Sequence, residues 1–230
     1  MARSISIVEY KVAQTHFYLS CIKDAGLNFF AAQCYTDAFV SAARSITFSM
    51  QAVLSDISLF KQWYKQKQDR LKRDPLAIFF NSYRVASIHI GETLIQGGVG
   101  GKNSDGEIES KYYFGSIPEV EEVPIMDVLC ACQTYFEMLL SIVFDAFEKF
   151  KYELDDRWYY TEEHFRELGK TIEDAEEELG FPRGWTKINK NEVTSDRWQI
   201  LRYTQTVGCQ INDLFDKYLN NTIKGPDEDN

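Results

Sequence analysis

Apolar and polar residues recur at helical spacing over most of the chain, and this pattern predicts a protein built from helices. The clearest case is the segment 28–54, where apolar residues keep the three-and-four spacing of one buried helix face. These residues are Phe39, Ala43, Ile46, Met50 and Val53. A helix over 6–24 comes before it. A third helix is predicted from a cap at Ser55 and Asp56 through to Arg73.

A fourth helix is marked at both ends. Asp74 is a side-chain acceptor of the kind that caps helices, and Pro75 suits the first helical position. Gly91 is the residue type most often found just beyond a helix C-terminus. The sequence therefore predicts a helix from about 75 to 90, with His89 in its final turn.

The segment 91–123 has a different character. Its glycine-rich stretches at 97–101 and 103–106 are typical of turns, and they lie between the strand-like segments 93–95 and 111–114. A β-hairpin or a flexible flap is therefore expected there, next to the end of the fourth helix.

Beyond Pro124 the helical pattern returns, and the chain is predicted to end in helices. They are expected as far as about 154 and then over 161–179 and 195–221, with a break at 180–184. The expected fold is an all-α multi-helix bundle with the hairpin inserted in it. We divide the chain into a helical domain 1–154 with the insertion 91–123, a C-terminal helical extension 155–224 and a frayed tail 225–230.

Composition narrows the class of protein. With 44% hydrophobic residues the chain can bury a substantial core. The most apolar segment, 125–150, is interrupted by Asp127, Glu137, Asp145 and Glu148, so we expect a core helix and no membrane span. The N-terminus lacks the apolar run of a secretory signal, which predicts a cytoplasmic protein. The five cysteines are expected to be free thiols.

The net charge is −10, which opposes nonspecific binding of nucleic acid, but the charge is unevenly distributed. Acidic residues dominate 145–178, whereas the third predicted helix is basic. Its candidate phosphate-binding residues are Lys65, Lys67, Arg70, Lys72 and Arg73. A solvated helix face would show the same pattern, so both interpretations stay open.

Arg84 and His89 lie five residues apart on the fourth helix, directly after this basic segment. Arginine can grip a phosphate, and histidine transfers protons near neutral pH, so the pair can cleave phosphodiesters without a metal or cofactor. On a regular helix the two side chains point about 140° apart, so one helix makes a poor site. Arg157 and His164 have a similar spacing, but Glu162, Glu163 and Glu167 would repel a phosphate there.

This motif and an earlier one together resemble the HEPN superfamily, whose members carry an arginine, four to six arbitrary residues and a histidine on a late helix. The earlier motif is 37–45, which contains Asp37 and Arg44, and the later one is 79–84 running on to His89. Both fall within about the first 125 residues. Many members place a polar residue directly after the arginine. Here Val85 stands in that position, and Asn81, one turn earlier, can replace it.

The resemblance implies a metal-independent endoribonuclease with Arg84 and His89 as its catalytic pair and Asn81, Asp37 and Arg44 as supporting residues. It also implies a homodimer, in which crossed motif helices bring an arginine and a histidine from each chain to one cleft. RNA is the expected partner, and a prokaryotic toxin or phage-defence effector with a protein antitoxin is the expected setting. The alternatives are a non-catalytic dimerisation or protein-interaction module and a nucleotide-binding regulator.

Overall fold

The computed structural model describes residues 4–102, 108–120, 122–187, 194–204 and 208–228. The chain divides into two compact units, Met1–Ile142 and Val143–Asn230. The elements that begin in the first unit are α1 (Ser6–Asp24), α2 (Phe29–Leu54), α3 (Phe60–Leu71), α4 (Pro75–His89), β1 (Ile95–Lys102), β2 (Ile108–Phe114) and α5 (Val128–Lys149). The second unit adds α6 (Lys151–Leu154), α7 (Asp156–Tyr159), α8 (Glu162–Glu167), α9 (Ile172–Glu178), α10 (Thr194–Tyr203) and α11 (Asn212–Leu219).

The core of the first unit forms where α1 and α4 pack on α2. The apolar stripe predicted on α2 is confirmed: Phe39, Ala43, Ile46 and Met50 are buried, and Val53 is half-buried. The mostly helical character expected from the sequence is therefore correct for the described residues, with the two-stranded sheet as the exception.

Aromatic rings fix α4 in place. Phe80 stacks on Tyr135 of α5, with 4.6 Å between ring centroids. Phe79 meets Phe114 of β2 edge to face at 4.8 Å. Tyr83 has no exposed surface. The motif helix is thus held on its buried side by rings from α5 and the hairpin, and this leaves its other side exposed.

The expected hairpin is present, but the glycines of 97–101 are not in its turn. They belong to β1, which pairs antiparallel with β2, and Gly98 lies opposite Tyr112. A Cβ at Gly98 would come within 2.6 Å of the Tyr112 ring, so only glycine lets the ring lie flat across the strand. The predicted turn at 103–106 lies outside the described residues.

The hairpin is anchored rather than a flap. The Tyr112 hydroxyl donates to the Gly26 carbonyl oxygen at 2.7 Å, and Gln33 Nε2 donates to the Ile95 carbonyl oxygen at 3.1 Å. The Ser110 hydroxyl also donates to Gly26. These bonds tie the hairpin to the α1–α2 connection and to the first part of α2.

The predicted start of α3 is wrong. The helix begins at Phe60, not at Ser55–Asp56. Ile57 N–H donates to the Leu54 carbonyl at 3.1 Å, so Ser55 ends α2 instead of capping α3. Leu59, in the left-handed region at φ 62°, then sets the new direction of the chain.

In the second unit the long helices predicted at 161–179 and 195–221 are each broken. Gly169, at φ 69°, separates α8 from α9, and a capping box between Thr171 and Asp174 restarts the helix. α10 ends at Tyr203, and α11 begins only at Asn212. Phe165, Trp198 and Leu201 form the buried centre of this unit.

The described part of the predicted frayed tail is held in place. Asp227 accepts a 2.6 Å ion pair from Arg202, and Glu228 accepts one of the same length from Arg157. Asp227 and Glu228, which a free tail would leave in solvent, therefore have guanidinium partners.

Among the described helices, α5 is the one long and apolar enough to cross a membrane by length and composition, which is weak evidence for a span. Half of its most apolar window is buried within the protein. Phe136, Leu139 and Leu140 belong to the core, as expected for a core helix.

Candidate functional site

The motif helix α4 begins and ends where its sequence predicts. The Asp74 side chain accepts a hydrogen bond from Ala77 N–H at 3.0 Å, and Pro75 occupies the first turn. The helix ends at His89, and Gly91 follows with φ 79°. Because both ends are fixed, the directions of the motif side chains follow from helix geometry.

Arg84 and His89 do not converge within one chain. His89 still belongs to the helix, so the two side chains point about 140° apart. Arg84 is half-buried and His89 is exposed. Val85 and Ile88, both largely exposed, lie on the helix surface between them. No hydrogen bond or ion pair joins either motif side chain to another described residue.

A second arginine lies next to Arg84. The guanidinium carbon of Arg44 is 4.5 Å from the centroid of the Phe48 ring, and that of Arg84 is 5.9 Å from the same centroid. Phe48 is 47% exposed, so one surface ring contacts cations from both α2 and α4. The structure therefore brings together two of the predicted site residues, Arg44 and Arg84.

Asp37 shares α2 with Arg44 but has different partners. The Tyr83 hydroxyl donates to Asp37 Oδ1 at 2.7 Å. Partial burial raises the pKa of Asp37, although interactions with the Tyr83 and Ser87 hydroxyls oppose the rise. Burial also raises the pKa of Tyr83, so its hydroxyl remains a donor. Asp37 thus joins α2 to α4, whereas Arg44 lies at the Phe48 ring.

A cavity of about 280 Å³ opens beside Arg44. Lys72 from the end of α3 and Asn81 from α4 line it together with Arg44, and Tyr64 and Tyr135 form part of its wall. None of its described lining residues carries a carboxylate. Three residues that the sequence assigned to separate roles thus meet at one basic cavity.

The other four predicted phosphate-binding residues do not line this cavity. Lys65 forms an exposed ion pair with Asp69 at 2.8 Å, and Lys67 lies 5.3 Å from the Trp63 ring centroid. Arg70 and Arg73 line an open groove of about 560 Å³, whose lining also includes the carboxylates of Asp69 and Asp74. Of the five predicted phosphate-binding residues, Lys72 is the one that lines the cavity.

The second arginine–histidine pattern is unsuited to phosphate, as its surroundings in the sequence indicated. Arg157 donates from Nε and Nη2 to Asp155, at 3.0 and 2.8 Å, and also pairs with Glu228. The His164 ring stacks on Tyr152, with centroids 4.7 Å apart. A guanidinium already held by two carboxylates has little capacity left for an anion.

All five cysteines are free, as predicted. Cys130 is exposed and Cys132 is buried, so this closely spaced pair faces in two directions. Burial raises the pKa of the Cys132 thiol. Within the described ranges, no group of three or more histidine, cysteine, aspartate or glutamate side chains is arranged to hold a metal ion.

Comparisons of the chain with known protein families, with curated proteins and with solved structures find no match. The fold and the site therefore define the class only coarsely, as a mostly helical protein with one hairpin and a basic cavity.

Sequence reasoning missed Phe48, Tyr64 and Tyr135. Phe48 had a signal, because it follows Arg44 by four residues and such pairs share a helix face. Tyr64 and Tyr135 had none, since each reaches the cavity through packing between distant helices.

Proposed function

We propose that the chain is a metal-independent endoribonuclease of the HEPN type that acts as a homodimer. The observation that carries the proposal is the pair of guanidinium groups, Arg44 and Arg84, at the Phe48 ring. Among the described residues neither has a carboxylate partner. Both are therefore free to bind RNA phosphates, and Phe48 offers a surface on which a base can stack.

A second copy of the chain would complete the site. The exposed side of α4 carries a strip of apolar side chains, Ile78, Val85 and Ile88. Helix geometry puts Arg84 on one edge of this strip and His89 on the other. If two α4 helices cross on their apolar strips, Arg84 of one chain approaches His89 of its partner across a twofold axis. Burying the strip also removes exposed apolar area from water.

The proposed reaction is transfer within the RNA chain. The 2′-hydroxyl attacks the adjacent phosphorus, so a bond from the 2′-oxygen to phosphorus forms and the bond to the 5′-oxygen breaks. Neutral His89 takes the proton of the 2′-hydroxyl, and a protonated His89 from the other chain gives one to the 5′-oxygen. Arg84 stabilises the charge on the phosphoryl oxygens. The products are a 2′,3′-cyclic phosphate and a 5′-hydroxyl end.

The direct test is incubation of RNA with the full chain in EDTA, followed by analysis of the new ends. We expect cyclic phosphate ends with the wild type and a loss of at least a hundredfold in rate with Arg84→Ala and with His89→Ala. Arg166→Ala is the matched control, because Arg166 is an exposed arginine in the second unit. Cleavage that survives both motif substitutions would refute the proposal.

The biological setting we propose is a cytoplasmic toxin or phage-defence effector that a protein antitoxin silences. A metal-independent nuclease needs no activating cofactor, so a cell that carries it requires another means of control. Expression should then inhibit growth, and His89→Ala should relieve the inhibition. Growth inhibition that persists in His89→Ala would show that the toxicity does not depend on RNA cleavage by His89.

A second candidate is a non-catalytic helical module that dimerises or binds another protein. The exposed apolar strip on α4 favours it, because this surface needs a partner but no chemistry. Val85→Glu should abolish self-association in either case. A wild-type dimer that leaves RNA intact, as judged by sedimentation and by the cleavage assay, would favour this second candidate.

A further inference from the structure

The cavity beside Arg44 has the charge of an anion-binding site. Arg44 and Lys72 supply two cations, and Gln68 and Asn81 add amide groups that can donate hydrogen bonds. The nearest acidic positions in the sequence, Asp69 and Asp74, line the other groove instead. Asp69 is paired with Lys65, and Asp74 caps α4. No carboxylate among the described lining residues therefore competes for the two cations.

Arg44 lacks an acceptor at the point where its side chain is most enclosed. Its Nε atom is buried and has no hydrogen-bond partner in the described structure. Its Nη1 atom makes one long bond, 3.3 Å, to the Thr47 hydroxyl. Arg44 is half-buried, and its guanidinium therefore retains hydrogen-bonding capacity that an anion in the cavity can use.

The remaining wall suits a small organic group. Tyr64 and Tyr135 present aromatic surface, and Leu71 and Ile78 add apolar surface. Burial raises the pKa of Tyr135 to about 12, so its hydroxyl stays protonated and can donate a hydrogen bond. A volume of about 280 Å³ corresponds to about nine waters, which is several times the space of a phosphate group.

We infer that this cavity binds a phosphate monoester attached to a group of nucleoside size, with Arg44 and Lys72 holding the phosphate and the tyrosine wall facing the organic part. The inference goes beyond the proposed nuclease, because this binding needs neither His89 nor a second copy of the chain. Both a free mononucleotide and the 5′-phosphorylated end of a short RNA contain such a phosphate monoester.

The test is isothermal titration of the full chain with four ligands: adenosine 5′-monophosphate, adenosine, and an RNA trinucleotide with and without a 5′-phosphate. At least one of the two phosphorylated ligands should bind, and its counterpart without phosphate should bind at least tenfold more weakly. Binding of the mononucleotide identifies a free nucleotide as a sufficient ligand, whereas binding of the phosphorylated trinucleotide alone identifies an RNA end.

Variants connect the binding to the cavity. Lys72→Ala should weaken it about tenfold, as expected for the loss of one charged contact, and Arg44→Gln should weaken it further. Lys72 is exposed, so its substitution leaves the fold intact even if Arg44→Gln does not fold. Lys61→Ala, an exposed lysine of the same helix outside the cavity, is the matched control. Absence of binding by both phosphorylated ligands, equal binding of their unphosphorylated counterparts, or equal weakening by Lys61→Ala would each overturn the inference.

Discussion

The bond between Tyr83 and Asp37 joins the motif helix to α2, and its contribution to stability can be predicted. Tyr83→Phe removes the hydroxyl and leaves the buried ring in place. The bond is 2.7 Å long and its acceptor is a carboxylate, a class that contributes about 1.5–3 kcal/mol. Asp37 is half-buried, so water replaces part of the lost interaction. We therefore expect a loss of about 1.5 kcal/mol in the free energy of unfolding.

A double-mutant cycle measures this bond separately from other effects of each substitution. Urea unfolding of the wild type, Tyr83→Phe, Asp37→Ala and the double variant should give a coupling of about 1.5 kcal/mol. The control pair is Tyr64→Phe with Asp37→Ala. The Tyr64 hydroxyl donates to the Thr47 carbonyl at 3.2 Å, so its loss should add independently to that of Asp37. A coupling below about 0.5 kcal/mol between Tyr83 and Asp37 would show that this bond does not fasten α4 to α2.

Two further predictions concern acid stability and the hairpin. Burial alone would raise the pKa of Glu176, but hydrogen bonds from Thr186 and Gly184 outweigh it and hold the pKa below 4.5. The unfolded chain therefore binds the proton more readily than the folded chain, so unfolding of the second unit should become easier as the pH falls below 4.5. The measurement is a series of urea melts at different pH values, in which Glu176→Gln should show a weaker dependence on pH than the wild type. In the hairpin, Gly98→Ala should lower the free energy of unfolding by about 1–3 kcal/mol, because the new Cβ meets the Tyr112 ring, which is held by its hydrogen bond. Gly101→Ala is the control: its Cβ would meet open space, so it should lower the free energy of unfolding much less in the same thermal or urea melts.

Local signals in the sequence were sufficient to locate α2 and α4. The α2 stripe, the Asp74 cap and Gly91 each act within a few residues, so periodicity and end chemistry located α2 and α4 correctly. The same reasoning failed at α3. Ser55 and Asp56 have the chemistry of an N-cap, but the chain uses Ser55 to end the preceding helix. A capping residue in the sequence does not show which of two neighbouring helices it serves.

The cavity was not predictable in the same way. The sequence identified Arg44, Lys72 and Asn81, but it gave each a different role. Arg44 was expected to be a supporting residue, Lys72 a phosphate contact, and Asn81 a replacement for the polar residue that would follow Arg84. Their meeting depends on how α2, α3 and α4 pack. This packing is set by contacts between residues far apart in the chain, such as Tyr64 with Thr47 and Tyr83 with Asp37. Residue type and spacing on one helix carry no information about such contacts.

The charge distribution explains why a chain with a net charge of −10 can still present a site for anions. In the second unit, carboxylates hold two of the arginines: Arg157 is paired with Asp155 and Glu228, and Arg197 with Glu173 and Glu176. Arg44 and Arg84 of the first unit instead share an exposed aromatic ring, with no carboxylate partner in the described structure. An anion responds to the local potential, which the net charge does not report. The partners of each guanidinium, more than the spacing of arginine and histidine, therefore distinguish the pattern on α4 from the pattern at Arg157.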